Sequence, residues 1–160
     1  MENLTPICTE WRKAKARAAQ LCIRAGREDV AQKLHACTMF HGDETLEELI
    51  ALLFSPRGVE FITSFDFPTL SIFRQFKKYD TQKYGLYIDA GNITLEEEHR
   101  VLLVGNTHAI LKYSQTKRNL VCLLHGASAQ VEASGFSVVH IEKDKHSKSN
   151  ETIKDHAIVI

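Results

Sequence analysis

Cys37 and His41 stand four residues apart, the spacing that places two zinc ligands on one face of a helix, and Cys22 falls on the helix before. No CxxC pair accompanies them. Cys22 and Cys37 also lie on apolar stripes, where a free cysteine packs as a small hydrophobe. The expectation is core thiols and no bound metal. Cys122 and His125 form a second pair with nucleophilic potential, and His108 sits near the equivalent turn one repeat earlier. A thiolate needs a base within hydrogen-bond reach and a third group to orient it. The sequence shows neither, so the expected arrangement is a buried thiol beside an exposed turn histidine, with no catalytic residue.

Asp89-Ala90-Gly91-Asn92 and Gly105-Asn106-Thr107 are small turns. Neither has the spacing of a phosphate-binding loop followed by a helix. Glycine and asparagine there serve the positive φ of tight turns, and no cofactor is expected. Glu96-Glu97-Glu98 is a run of neighbours, read as a solvated turn rather than the paired carboxylates of glycoside chemistry. The hexapeptide pattern of solenoid acyltransferases is also missing.

Two basic clusters remain, Arg12, Lys13, Lys15, Arg17, Arg24 and Arg27 along the first helix and Arg74, Lys77, Lys78 and Lys83 later. Such clusters bridge phosphates in nucleic-acid binders, and Arg12, Lys13, Lys15 and Arg17 are the residues that a nucleic-acid partner would use. The chain is nevertheless neutral overall, with 20 basic and 20 acidic side chains in 160 residues. No helix-turn-helix, finger or aromatic RNA-binding signature is present. A basic stripe on an amphipathic helix is ordinarily its solvated side, so nucleic acid is the alternative partner, behind another protein or a second copy of this chain.

The elements that position these residues fall into two unlike parts. Residues 1–82 read as about five helices. Trp11, Ala14, Ala18, Leu21, Cys22 and Ala25 recur with helical period, and Gly26 follows as a stop. A second helix is expected from Glu28 to His41, with Val30, Leu34 and Cys37 on one face. Thr45-Leu-Glu-Glu48 has the form of a capping box ahead of Leu46, Leu49, Ile50 and Leu53. Ser55-Pro56 opens a fourth helix carrying Val59, Phe61 and Ile62. Pro68 opens a fifth with Leu70, Phe73 and Phe76.

From Tyr84 the period changes. Short runs of β-branched, aromatic and aliphatic residues alternate with Gly, Asn and Ser at roughly ten-residue spacing. Val101–Val104 and Val121–Leu124 lie twenty residues apart, as do Ala109 and Ala129 and Ser114 and Ser134. Residues 83–160 therefore read as a β-repeat region. A period of about 20 residues suggests a stack of about four β coils, a short solenoid. A sandwich with evenly spaced strands would show the same rhythm. The fold class is α+β, with a helical half packed on a short solenoid-like half as one structural unit. The charged stretch 143–150 is expected to be a mobile loop.

Val104-Gly-Asn-Thr-His-Ala-Ile-Leu-Lys-Tyr-Ser114 and Leu123-Leu-His-Gly-Ala-Ser-Ala-Gln-Val-Glu-Ala-Ser-Gly-Phe136 resemble the β-solenoid half of small uncharacterised proteins from gut-bacterial phages and mobile elements. Ser55-Pro-Arg-Gly-Val-Glu-Phe61, Phe67-Pro68, Phe73 and Tyr84-Gly-Leu-Tyr-Ile-Asp-Ala-Gly91 are similar to the connecting region of that group. The resemblance spans about residues 45–141. It implies a non-secreted accessory protein with no established activity, and it carries over no catalytic residue.

Two further features bear on partners and place. The chain closes on Ala157-Ile-Val-Ile160, an apolar strand at the end of a stack with no polar cap evident, so Ile158, Val159 and Ile160 are the expected self-association residues. The N-terminus shows neither the basic nor the apolar region of a secretory signal, and no apolar run reaches membrane-spanning length. The expected location is the cytoplasm, with no membrane partner and the four cysteines reduced.

Overall fold

The computed structural model describes residues 3–36 and 40–160. The chain divides into two compact units, one ending at Pro68 and one running from Thr69 to Ile160. The change from helix to strand comes later, at Tyr84–Leu86, so the fifth helix belongs spatially with the strands.

The first unit holds α1 (Thr5–Arg24), α2 (Glu28–Ala36), α3 (Leu46–Phe54) and α4 (Pro56–Ser64). On α1 the buried stripe is Ile7, Cys8, Trp11, Ala14, Ala18, Ala19 and Cys22. Leu21, expected on that stripe, is 57% exposed. At 100° per residue it stands about 80° from Trp11, at the rim of the stripe. Ala19 and Cys22 meet Ala31 of α2, and these small side chains let the two helices approach closely. Helix α2 is described from Glu28 to Ala36, and Phe40 and His41 lie outside it, so it does not reach His41. His41 is instead in a loop, where its N–H is held by the Glu44 carboxylate. Trp11 stacks on Phe40, with centroids 5.5 Å apart, and meets Phe67 edge-on at 5.4 Å.

The capping box forms as its residues dictate: Thr45 Oγ1 accepts from the N–H of Glu48, and the Glu48 carboxylate accepts from the N–H of Thr45. Ser55 caps α4 through the N–H of Gly58, and Pro56 takes the first helical position. Val59 and Ile62 are buried, whereas Phe61 is half-exposed and packs against the rings of Phe65 and Phe67.

The second unit opens with α5 (Leu70–Phe76), which starts two residues after Pro68, and a short 3-10 turn at Gln82–Tyr84. Nine strands follow: β1 (Leu86–Ile88), β2 (Gly91–Glu96), β3 (Arg100–Val104), β4 (Thr107–Tyr113), β5 (Arg118–Leu124), β6 (Ser128–Ala133), β7 (Val138–Lys143), β8 (Lys148–Ile153) and β9 (Ile158–Val159). They form two parallel sheets, β1-β3-β5-β7-β9 and β2-β4-β6-β8. Successive strands thus alternate between sheets, and the chain winds through about four turns of a β-solenoid. The sandwich is excluded, because a sandwich pairs its strands antiparallel. The segment 143–150 is the end of β7, a corner and the start of β8, not a loop.

The pairing register explains the repeat. Leu86 pairs with Leu102 and Ile93 with Ala109, an offset of 16, because the first corner between the second and first sheet is four residues shorter. Val101 then pairs with Val121, Ala109 with Ala129, Val121 with Ile141 and Val138 with Ile158, each an offset of 20. Inward positions stack into columns such as Leu103–Leu123 and Leu111–Val131, every member fully buried. Period-two alternation puts the remaining residues on the outer faces. None of the helices among the described residues is long and apolar enough to cross a membrane.

Candidate functional site

The residues singled out for chemistry land in unremarkable places in several cases. Cys22 is buried against Ala19 and Ala31, Cys37 lies outside the described residues, and His41 gives its carbonyl to Arg12 Nη2 at 3.2 Å. Cys8, Cys22 and Cys122 are free thiols, all buried. Cys122 sits on the outer face of the first sheet, and burial pushes its thiol up to about 12, where it stays protonated. His125 occupies the corner after β5 at φ 57°, its N–H held by Asp144 Oδ2 at 2.7 Å and its ring edge-on to Phe73 at 5.8 Å. The thiol is buried as the sequence suggests, but His125 is half-buried against Phe73 rather than exposed.

On α1, Arg12 reaches the His41 carbonyl and lies 5.9 Å from the Phe40 ring centre, and Lys13 bonds Glu10 at 2.8 Å. Lys15 is half-buried and Arg17 exposed. Arg12, Lys13 and Lys15, three of the four cations expected to meet phosphates, therefore have partners within the chain. In the second cluster, Arg74 Nε donates to Asp89 Oδ2 at 2.8 Å, and Lys77 Nζ lies 3.6 Å from the same oxygen. Those two residues anchor α5 to the solenoid.

Four acidic residues form a set, of which the sequence placed Asp89 in a small turn, Glu97 in a solvated turn and Asp144 in a mobile stretch. Asp89 Oδ1 accepts the N–H of Asn106 at 3.0 Å, tying the first coil to the second. At the other corner of the first coil, Glu97 Oε1 accepts the N–H and hydroxyl of Ser114 at 2.7 and 2.8 Å. From the fourth coil, Asp144 holds the N–H of His125, and Asp155 Oδ2 accepts the N–H of Gly135 at 3.0 Å. Each terminal coil thus carries one carboxylate per corner, and each carboxylate caps the neighbouring coil. The ionised forms are favoured accordingly. Arg74 first, and then the Asn106 N–H, hold the Asp89 carboxyl down to about 2 against burial. Burial opposes the same shift at Glu97 and Asp144, but the hydrogen bonds just named outweigh it and both sit below the ordinary carboxylate range.

Two surfaces of the solenoid stay open to a ligand or partner. The outer face of the second sheet presents His108, Ile110, Ser128, Gln130, Lys148 and Asn150 around a shallow depression of about 450 Å³. There His108 Nδ1 lies 2.7 Å from Ser128 Oγ, and His108 Nε2 lies 3.0 Å from Asn106 Oδ1. The sequence hint to this cluster was the offset of twenty, which sets position 108 beside position 128.

The other open surface is the last coil. Ile158 and Ile160 are 54% and 63% exposed, while Val159 points inward and is half-buried. Ile153 and Phe136 are also exposed, and Phe136 stacks on His156 at 4.9 Å. The interior changes character at the same level. Ser149 takes the position of Ala109 and Ala129, Glu151 that of Leu111 and Val131, and Lys143 that of Leu103 and Leu123. Lys143 Nζ donates to Ser149 Oγ at 2.9 Å, and Ser149 Oγ donates to Glu151 Oε1 at 2.7 Å. The absence of a polar cap, inferred from the apolar C-terminus, is therefore corrected: the cap is built from inward positions upstream of it. No family model, curated protein or solved structure matches the chain.

Proposed function

We propose that this chain is a non-enzymatic interaction protein that works as a homodimer in the cytoplasm, joined through its last coil. The observation that carries this reading is the exposure of Ile158 and Ile160 beside the unpaired edges of β9 and β8. Exposed aliphatic side chains next to unpaired strand backbone favour addition of another chain. The partner is a second copy because the last coil is mixed in charge: Lys143, Lys145, Lys148 and Lys154 interleave with Asp144, Glu151 and Asp155. Turned about a twofold axis, such a surface meets opposite charges.

The polar interior of that coil selects the mode. Head-to-tail stacking would press Lys143 and Glu151 against the first coil, whose inward residues are Ile93 and Leu95, and desolvate both charges against aliphatic side chains. Head-to-head pairing keeps the Lys–Ser–Glu chain against its like and closes after two copies. The buried free thiols fit a reducing compartment.

Light scattering at tens of micromolar tests the proposal. The expected result is twice the chain mass, falling to the single-chain mass in the double variant Ile158→Glu, Ile160→Glu with an unchanged circular dichroism spectrum. A monomeric wild type, or a dimer that the double variant leaves intact, overturns it.

A further inference from the structure

We infer that Ser128 is a nucleophile primed to take an acyl group, a site of covalent modification on the outer face of the second sheet. Donors and acceptors fix where the ring proton sits. The Asn106 side-chain oxygen only accepts, so the nitrogen facing it, His108 Nε2, carries the ring proton at 3.0 Å. His108 Nδ1 is then left with a lone pair, and it points at Ser128 Oγ 2.7 Å away. The serine hydroxyl donates to it. Nucleophile, base and orienting group thus stand in the order that activates a hydroxyl.

The fold holds this arrangement without relying on flexible segments. His108 and Ser128 are register partners on adjacent strands. Asn106 is fixed through its own N–H by Asp89 Oδ1 at 3.0 Å, and Asp89 is fixed by Arg74. Asn106 is therefore a positioning residue. Lys148 is the next register partner of Ser128 and lines the same depression, so an ammonium stands on the side of the serine away from the base. A developing oxyanion there is stabilised electrostatically. The face is open and shallow, which suits a small acyl donor with a good leaving group, such as an acyl phosphate or an aryl ester.

In the step itself, Ser128 Oγ bonds to the carbonyl carbon as the bond from that carbon to the leaving oxygen breaks. The hydroxyl proton passes to His108 Nδ1 and from there to solvent. One acyl group is gained per chain, one leaving-group anion is released, and nothing is oxidised or reduced. This site is independent of the dimer contact, which uses the last coil.

The full chain treated with p-nitrophenyl acetate tests the inference. A burst of one p-nitrophenolate per chain is expected, with peptide mapping placing a single acetyl group on Ser128. Ser128→Ala abolishes the burst. His108→Gln slows it roughly a hundredfold, the lower end of what a positioned base contributes. Asn106→Leu slows it similarly, whereas Asn106→Asp, which keeps an accepting oxygen, restores it. Acetyl groups on Lys148 or scattered over other lysines, no burst, or a His108→Gln variant as fast as wild type would each overturn it. His108 is exposed, so that variant keeps the fold and the outcome remains readable.

Discussion

The middle coils and the last coil of the solenoid occupy equivalent rungs of one ladder, yet they are built to opposite rules. In the middle coils the inward column Leu111–Val131 is fully buried; one step further the same column holds Glu151, exposed to solvent. Backbone pairing continues unchanged across that boundary. Strand register therefore does not require an apolar interior at every rung. What the aliphatic side chains supply is the free energy of burial, and what the polar ones supply is a place to stop. Inward-pointing charge is one of the ways natural sheets discourage uncontrolled growth at an edge.

The largest effect that would sharpen this contrast is a matched pair of deletions in one column. Leu111→Ala removes a fully buried side chain and is expected to cost about 2–5 kcal/mol, while Glu151→Ala should change stability by less than about 0.5 kcal/mol. Urea denaturation of both variants measures the pair, and equal losses would break the comparison.

The next effect in size concerns the corners. A Cβ at Gly135 would sit 2.8 Å from the Ser114 carbonyl oxygen on a backbone at φ 62°, so Gly135→Ala is expected to cost about 1–3 kcal/mol. Gly126 also has positive φ but meets nothing within 4 Å, and Gly126→Ala should cost clearly less. Thermal melts of the two side by side separate strain plus collision from strain alone.

The smallest effect is titratable. Asp89, Glu97 and Asp144 all ionise more readily in the folded chain than their ordinary values, so their stabilisation is fully present above about pH 5. It is lost as the pH falls toward about 2, the folded value of Asp89. Circular dichroism melts between pH 7 and 2 should show the β signal losing stability across that window. Asp89→Asn keeps an accepting oxygen but loses the charge beside exposed Arg74, so it should lower stability at pH 7 by about 0.5–1 kcal/mol and flatten the acid dependence. A wild type as stable at pH 2 as at pH 7 would remove the carboxylates from the account.

Much of this fold was legible in the sequence because its signals are periodic. The change of hydrophobic period at Tyr84 marked where strands begin, and the offset of twenty between Val101 and Val121 is the pairing register itself. Thr45 with Glu48 and Ser55 with Pro56 carried their caps in plain view. The offset of 16 in the first turn escaped because a shorter corner breaks the repeat without altering any strand. Helix α2 was drawn through His41 because its spacing from Cys37 fits a helix face, and such spacing says nothing about where the backbone turns away.

Sites were less legible for a physical reason. The corner carboxylates bond to backbone N–H groups 17 to 20 residues away, and a backbone donor has no residue type to read. Glu97 therefore looked like one of three solvated neighbours. The Ser128–His108–Asn106 contact joins side chains that become neighbours only once two strands are in register. The split of Ile158, Val159 and Ile160 into outward and inward residues needed the strand's parity, which a three-residue run does not reveal.

The corner carboxylates reside only in the terminal coils, the first reaching to the second and the fourth reaching back to the third. Those ends work as bookends whose grip is independent of how many volumes stand between them. A duplicated twenty-residue unit placed between the second and third coils would leave all four clamps, the polar interior of the last coil and the parity of every strand intact. The length of this rod is thus open to change by whole repeats through simple tandem duplication, whereas loss of either end coil would remove a pair of clamps at a stroke.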